Sequence, residues 1–96
     1  MSDQDVPKIY RFTLPVLDGQ VLSIHAGAQI LSVAPTRDGS SDRIDLWAST
    51  YPNDLPRSGR WIHIAGTGHP LPAGRFIGTV VTPAGLVWHV FEGAPA

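Results

Sequence analysis

No cysteine occurs in the 96 residues of this chain. That excludes disulfides, thiolate metal sites and cysteine nucleophiles together. A secreted domain of this size usually relies on disulfides, so a reducing cytoplasm is the expected setting. Long apolar runs are missing as well, and the first residues, Met1 to Asp5, are polar and acidic. Neither a membrane-spanning segment nor the basic and apolar regions of a signal peptide is expected. Lysine occurs once, at Lys8, and the net charge is −1, so no global attraction to nucleic acid or membrane arises. Helical periodicity is absent too, since no segment joins sufficient length to apolar residues at helical spacing.

What is present is turn chemistry. Ten glycines and nine prolines suit many short strands and poorly suit long helices. Period-two alternation recurs between the turns. Tyr10, Phe12, Leu14 and Val16 share one face of a first strand, against Arg11 and Thr13. Asp18-Gly19 reads as a hairpin turn. A three-residue loop, Leu17 to Gly19, with Gly19 left-handed, would pair Leu14 with Leu22 and Phe12 with Ile24. Ile30 to Ala34 forms a third strand, and Thr36 to Asp42 is a polar turn cluster. From Arg43 to Ser49, Ile44, Leu46 and Ala48 point inward, with Arg43, Asp45, Trp47 and Ser49 outward. Tyr51 to Gly59 reads as the longest loop, and Arg60 to Ala65 as another strand. Pro83-Ala84-Gly85 closes a hairpin that sets Val80 opposite Trp88 and Thr79 opposite His89.

These signals predict an all-β domain of about seven short antiparallel strands, in a small sandwich or barrel. A single β domain is expected over 8–92, with tails at 1–7 and 93–96. The expected core is Phe12, Leu14, Leu22, Ile24, Ile44 and Leu46, joined later in the chain by Ile62, Ile64, Val80, Trp88 and Val90. The other aromatics, Tyr10, Phe76 and Phe91 among them, are mostly core candidates too.

Charge is unevenly spread. Residues 1–54 carry seven Asp against Lys8, Arg11, Arg37 and Arg43, a balance of −3. Residues 55–96 carry Arg57, Arg60 and Arg75 against Glu92 alone, a balance of +2, together with His63, His69 and His89. The glycine-rich stretch Gly66-Thr67-Gly68-His69 falls in this cationic part. Successive backbone N–H groups there, with the Thr67 hydroxyl and the His69 ring, are a candidate anion site, and Arg60 or Arg75 would stand beside it. It is neither a Walker loop nor a dinucleotide fingerprint, and a plain crossover between strands would need the same residues. The four histidines lack His-x-His or His-x-x-x-His spacing, so no metal site and no cofactor are expected. No serine sits in a nucleophile elbow, and nothing selects a pair of carboxylates. Trp47 and Trp61, on the polar faces of their strands, are candidate interface anchors.

The stretches Ile64-Ala65-Gly66-Thr67-Gly68-His69-Pro70 and Phe76-Ile77-Gly78-Thr79-Val80, followed by Val87-Trp88-His89-Val90-Phe91-Glu92, carry a resemblance. In order, and with Lys8-Ile9-Tyr10 and Leu46-Trp47-Ala48 before them, they resemble a family of small phage and prophage proteins of unknown function. The chain departs from that pattern in a longer polar loop around Ser40 and Ser41. The resemblance implies phage origin, one β-rich domain, and no established activity or site residue. With the reducing setting expected from the absent cysteines, the expected location is the host cytoplasm. A non-enzymatic binding protein is the leading expectation, its partner a host or phage protein or a small anionic ligand, with counter-defence as its setting. A virion assembly protein that self-associates, or a small hydrolase using His69 with His63 or His89, are the alternatives.

Overall fold

Period-two alternation becomes seven strands in the computed structural model, which describes residues 6–52 and 56–93. They are β1 (Lys8–Pro15), β2 (Gly19–His25), β3 (Gln29–Pro35), β4 (Arg43–Thr50), β5 (Arg57–Gly66), β6 (Arg75–Val81) and β7 (Val87–Gly93). One sheet has the order β1-β4-β3 and the other β2-β5-β7-β6, with every pairing antiparallel. Two open sheets face one another, so the architecture is a sandwich and not a barrel. Among the described residues, no helix is long and apolar enough to cross a membrane. The tails expected at 1–7 and 93–96 fall largely outside the described residues, and β7 runs on through Gly93.

The closing hairpin has the expected register, with Thr79 opposite His89 and Val80 opposite Trp88. Gly85 supplies a positive φ of 84° and donates its N–H to Thr82 O, so a residue with a Cβ would be strained there. The hairpin expected at Asp18-Gly19 does not form. β1 pairs with β4 and β2 with β5, so Leu14 and Leu22, like Phe12 and Ile24, lie in different sheets. The linker is an arch. Val16 N–H donates to Asp42 O in the first sheet, while Asp18 O accepts from Ile64 N–H in the second. Gly19 is not among the glycines with positive φ. Further on, β5 begins at Arg57, because Ser58 and Gly59 pair with Ile24 and Ser23 where a loop was expected.

The core lies between the sheets. Ile44, Leu46 and Ala48 of β4 meet Ile62 and Ile64 of β5 and Val80 and Val90 of the hairpin, with Leu14, Ile24 and Ile30 around them. Phe12, Leu22 and Trp88 pack against this cluster only half-buried. Two aromatics depart from expectation: Tyr10 is 39% exposed and Phe76 53%, Phe76 being on the outer face of edge strand β6. Asp45 departs in the other direction. Its side chain points outward in the pleat, yet it is fully buried because β4 is the central strand and its neighbours cover it. Thr13, its cross-strand partner, donates to Asp45 Oδ1 at 2.8 Å, and Arg11 Nη1 stands 3.7 Å from Oδ2. A buried carboxylate requires such partners.

Polar contacts tie the sheets at one edge. Arg60 Nη1 and Arg75 Nη2 both donate to Glu92, at 2.8 and 3.1 Å. Arg60 also donates to Ala26 O and Ala28 O in the connection from β2 to β3, and Arg75 donates to Ile30 O of β3 in the opposite sheet. Nearby, β3 and β6 approach so closely that a Cβ on Gly78 would lie 2.9 Å from Val33 Cγ2.

Two substitutions test this architecture. Leu46→Ala, at a fully buried central-strand position, is expected to cost about 2–5 kcal/mol in urea unfolding, a large share of so small a domain's stability. A cost under about 1 kcal/mol would contradict the packing described. Gly74 has φ 121°, and a Cβ there would strike the Glu92 carbonyl oxygen, whereas Gly39, at φ 81°, has open space around it. Gly74→Ala should therefore lower the melting temperature clearly more than Gly39→Ala, which bears only the left-handed backbone cost of about 1–2 kcal/mol.

Candidate functional site

β5 and β6 both run antiparallel to β7, so they are parallel to each other, and no tight turn can join them. The chain from Thr67 to Gly74 must cross β7 to connect them. Gly66-Thr67-Gly68-His69 begins this crossover, with Gly68 at φ 90°. His69 N–H donates to Gly66 O at 3.0 Å, and Gly66 N–H donates back to His69 Nδ1 at 3.3 Å. Two of the amides that would have faced an anion are thus committed within the turn.

The crossover passes over the outer face of the four-stranded sheet and roofs a crevice there. Below lie Ala65, His89, Phe91 and Phe76. Above lie Thr67, His69, Pro70 and Leu71, around a volume of about 250 Å³. His89 fastens roof to floor. Its Nε2 is hydrogen-bonded to the Thr67 hydroxyl at 2.9 Å and its Nδ1 to the Thr79 hydroxyl at 3.0 Å. A neutral imidazole donates through one nitrogen and accepts through the other, and rotatable hydroxyls satisfy either tautomer. Phe91 is buried edge-on against Phe76, with ring centroids 5.4 Å apart. Leu71, 83% exposed, and Phe76 form an apolar lip.

The remaining candidate residues lie elsewhere. Arg60 is six residues before Gly66, about 20 Å along the strand, and shares the inward face of Ile62 and Ile64. Arg75 follows the crossover directly, but its guanidinium turns to Glu92 and Ile30 O. No arginine or lysine lines the crevice. Trp61 lies on the outer face of the four-stranded sheet, stacked on His63 at 6.0 Å and 12°. Trp47 lies on the outer face of the other sheet, so the two tryptophans face opposite ways and cannot share one contact surface. Among the described residues, no group of three His, Asp or Glu side chains is placed to hold a metal.

Sequence reasoning missed a second hollow. Where the edges of β1 and β2 diverge, Tyr10, Phe12, Ile24, His25, Tyr51 and Arg57 help line about 300 Å³ between the sheets. His25 and Tyr51 pack at 4.8 Å, and Arg57 donates to the Ser23 hydroxyl and carbonyl at 3.0 and 2.6 Å. Joining β1 and β2 in one hairpin would have closed this mouth, and only their long-range partners reveal it.

Thr67→Val removes the hydroxyl that bridges roof to His89. It is expected to cost about 0.5–1.5 kcal/mol, as one hydrogen bond does, and to quicken amide exchange at His69 relative to the core strands. Unchanged exchange at His69 would mean that the bridge does not hold the crossover.

Comparison with curated proteins and with solved structures gives no match. A family model does match, over residues 6–96, which is nearly the whole chain and includes both sheets and the crossover. The chain therefore belongs to the DUF7352 family, a domain of unknown function.

Proposed function

We propose that this domain is a phage-encoded, non-enzymatic binding protein that blocks a host immune protein, with the roofed crevice as its docking seat. The observation that carries this reading is the crevice lining. It is apolar, rimmed by exposed Leu71 and Phe76, and offers hydrogen bonding only at one edge through Thr67, His69 and His89. Such a surface suits an aliphatic or aromatic side chain of a protein partner. It does not suit a small anion, because Arg60 and Arg75 are spent on Glu92 and on backbone carbonyls. Binding is favoured over histidine-dependent hydrolysis for a similar reason: His69 Nδ1 accepts from the Gly66 amide, and both His89 nitrogens are engaged by threonines. The phage setting and the counter-defence role rest on the resemblance carried by the G-T-G-H-P and W-H-V-F-E stretches.

Expression in bacteria whose defence systems block a phage tests the reading. The wild-type domain is expected to restore plaques on at least one such strain. Leu71→Asp should keep the melting temperature, and Phe76→Asp, which also loses the Phe91 ring contact, should lower it by a few degrees. Both should weaken partner binding by about tenfold or more, with loss of plaques. No rescue on any strain, or full rescue by both variants, would overturn the proposal.

A further inference from the structure

The arginines of this chain divide by what their N–H groups do. Arg57, Arg60 and Arg75 donate hydrogen bonds to hydroxyl, carboxylate and carbonyl oxygens at 2.5–3.1 Å. Arg11, Arg37 and Arg43 donate none to the described residues. Arg11 reaches Asp45 only at 3.7 Å, Arg43 reaches Asp38 and Asp42 only at 3.5 and 3.9 Å, and Arg37 has no ion-pair partner among the described residues. All three line one hollow of about 440 Å³, with Thr13, Thr36 and Asp38. Their guanidiniums come from β1, from the 36–42 turn and from β4, and each has five donors in a planar fork.

We propose that this hollow is an anion site, and that it takes the phosphate group of a small phosphorylated molecule. It is distinct from the crevice and does not rest on the reading given to it. Guanidinium groups match phosphate oxygens in pairs, and such charge-assisted bonds are shorter and stronger than the loose ion pairs they would supplement. Exposed pairs at 3.5–3.9 Å contribute little to stability, so engaging a phosphate sacrifices little.

Each local carboxylate accepts from a neutral donor and keeps its charge, so a phosphate competes with it for the arginines. Asp45 is buried and accepts from Thr13 at Oδ1, while its Oδ2 has no hydrogen-bond donor among the described residues and faces Arg11 at 3.7 Å. Asp42 accepts from the Ser40 hydroxyl, and that bond chiefly holds its carboxyl below the usual carboxylate range. Asp38 Oδ1 accepts from Ser40 N–H at 2.9 Å, which leaves Oδ2 facing Arg43.

The turn that presents Arg37 is built in advance. Gly39 N–H donates to Thr36 O, Asp42 O accepts from Val16 N–H, and the Ser41 hydroxyl accepts from Ala84 N–H of the β6–β7 turn. Preformed donors spare a ligand the cost of ordering them. Trp47 is directly opposite Arg11 on the same outer face, so a planar group carried by the phosphate has an indole beside it.

Titration of the full chain with inorganic phosphate, pyrophosphate and adenosine 5′-monophosphate, followed through the arginine Nε–Hε resonances by NMR, tests the site. Saturable shifts are expected at Arg11, Arg37 and Arg43 and not at Arg60 or Arg75. Arg37→Ala changes an exposed turn residue, and should leave the amide spectrum of the core unaltered while weakening binding about tenfold. Arg43→Gln should weaken it similarly. Tighter binding of the nucleotide, with movement of the Trp47 indole resonance, would extend the site to the planar group, and equal affinities would confine it to phosphate; either supports the proposal. Shifts that do not saturate, that sodium chloride reproduces at equal ionic strength, or that survive Arg37→Ala would overturn it.

Discussion

Parallel strands on either side of a third impose a crossing. β5 and β6 flank β7, and the eight residues from Thr67 to Gly74 have to pass over its outer face to join them. Gly68 turns the chain at the start, and Gly74 brings it down onto the Glu92–Gly93 backbone at the end, where no side chain fits. The crevice is a by-product of that route, because a chain held above a pleated face by one histidine bridge leaves space beneath it. The same descent places Arg75 beside Glu92, from where it reaches Ile30 of the opposite sheet while Arg60 holds the connection from β2 to β3. Connection, crevice and inter-sheet clamp thus follow from a single topological demand.

The clamp places charged groups where the apolar core thins out. Arg60 and Glu92 are each about one-fifth exposed, and their guanidinium and carboxylate are satisfied by each other and by backbone. Removing Glu92 alone would leave the largely buried Arg60 without its carboxylate, which is costlier than never having had the pair, while the exposed Arg75 would turn to water. On the outer face Asp45 is held at one oxygen by Thr13 and faced at the other by Arg11, where a central strand between two neighbours hides what alternation alone assigns to solvent.

Much of this was legible in the residues, and the failures have a common cause. Alternation located the strands, and the Pro83-Ala84-Gly85 turn fixed the closing register, because a hairpin is a local object. The arch at Asp18-Gly19 was not legible. An apolar face reads identically whether two strands lie side by side or face each other across a core, and only Asp42 and Ile64, far along the chain, decide between them. For the candidate site, the Gly66–His69 stretch was compatible with a crossover, and the crossover does run from Thr67 to Gly74, while Gly66 itself ends β5. The supposed cationic companions of that stretch were inferred from closeness in sequence, and strand pairing sent them elsewhere. Arg11, Arg37 and Arg43 drew no notice as a group because 32 positions separate the first from the last.

The strand order carries a consequence for how the chain finds its structure. Only β3–β4 and β6–β7 join neighbours along the chain, and they belong to different sheets. The pairings β1–β4, β2–β5 and β5–β7 all close long loops, whose entropy must be lost before the contacts form. Two independent hairpin nuclei are therefore expected to form first, with β1 and β2 added last from the amino-terminal side. Refolding should be slow for a chain of this length, in the millisecond-to-second range of sandwiches, and mutations in β1 should speed unfolding more than they slow folding. A stopped-flow series in which β1 variants chiefly slowed folding would reverse that order.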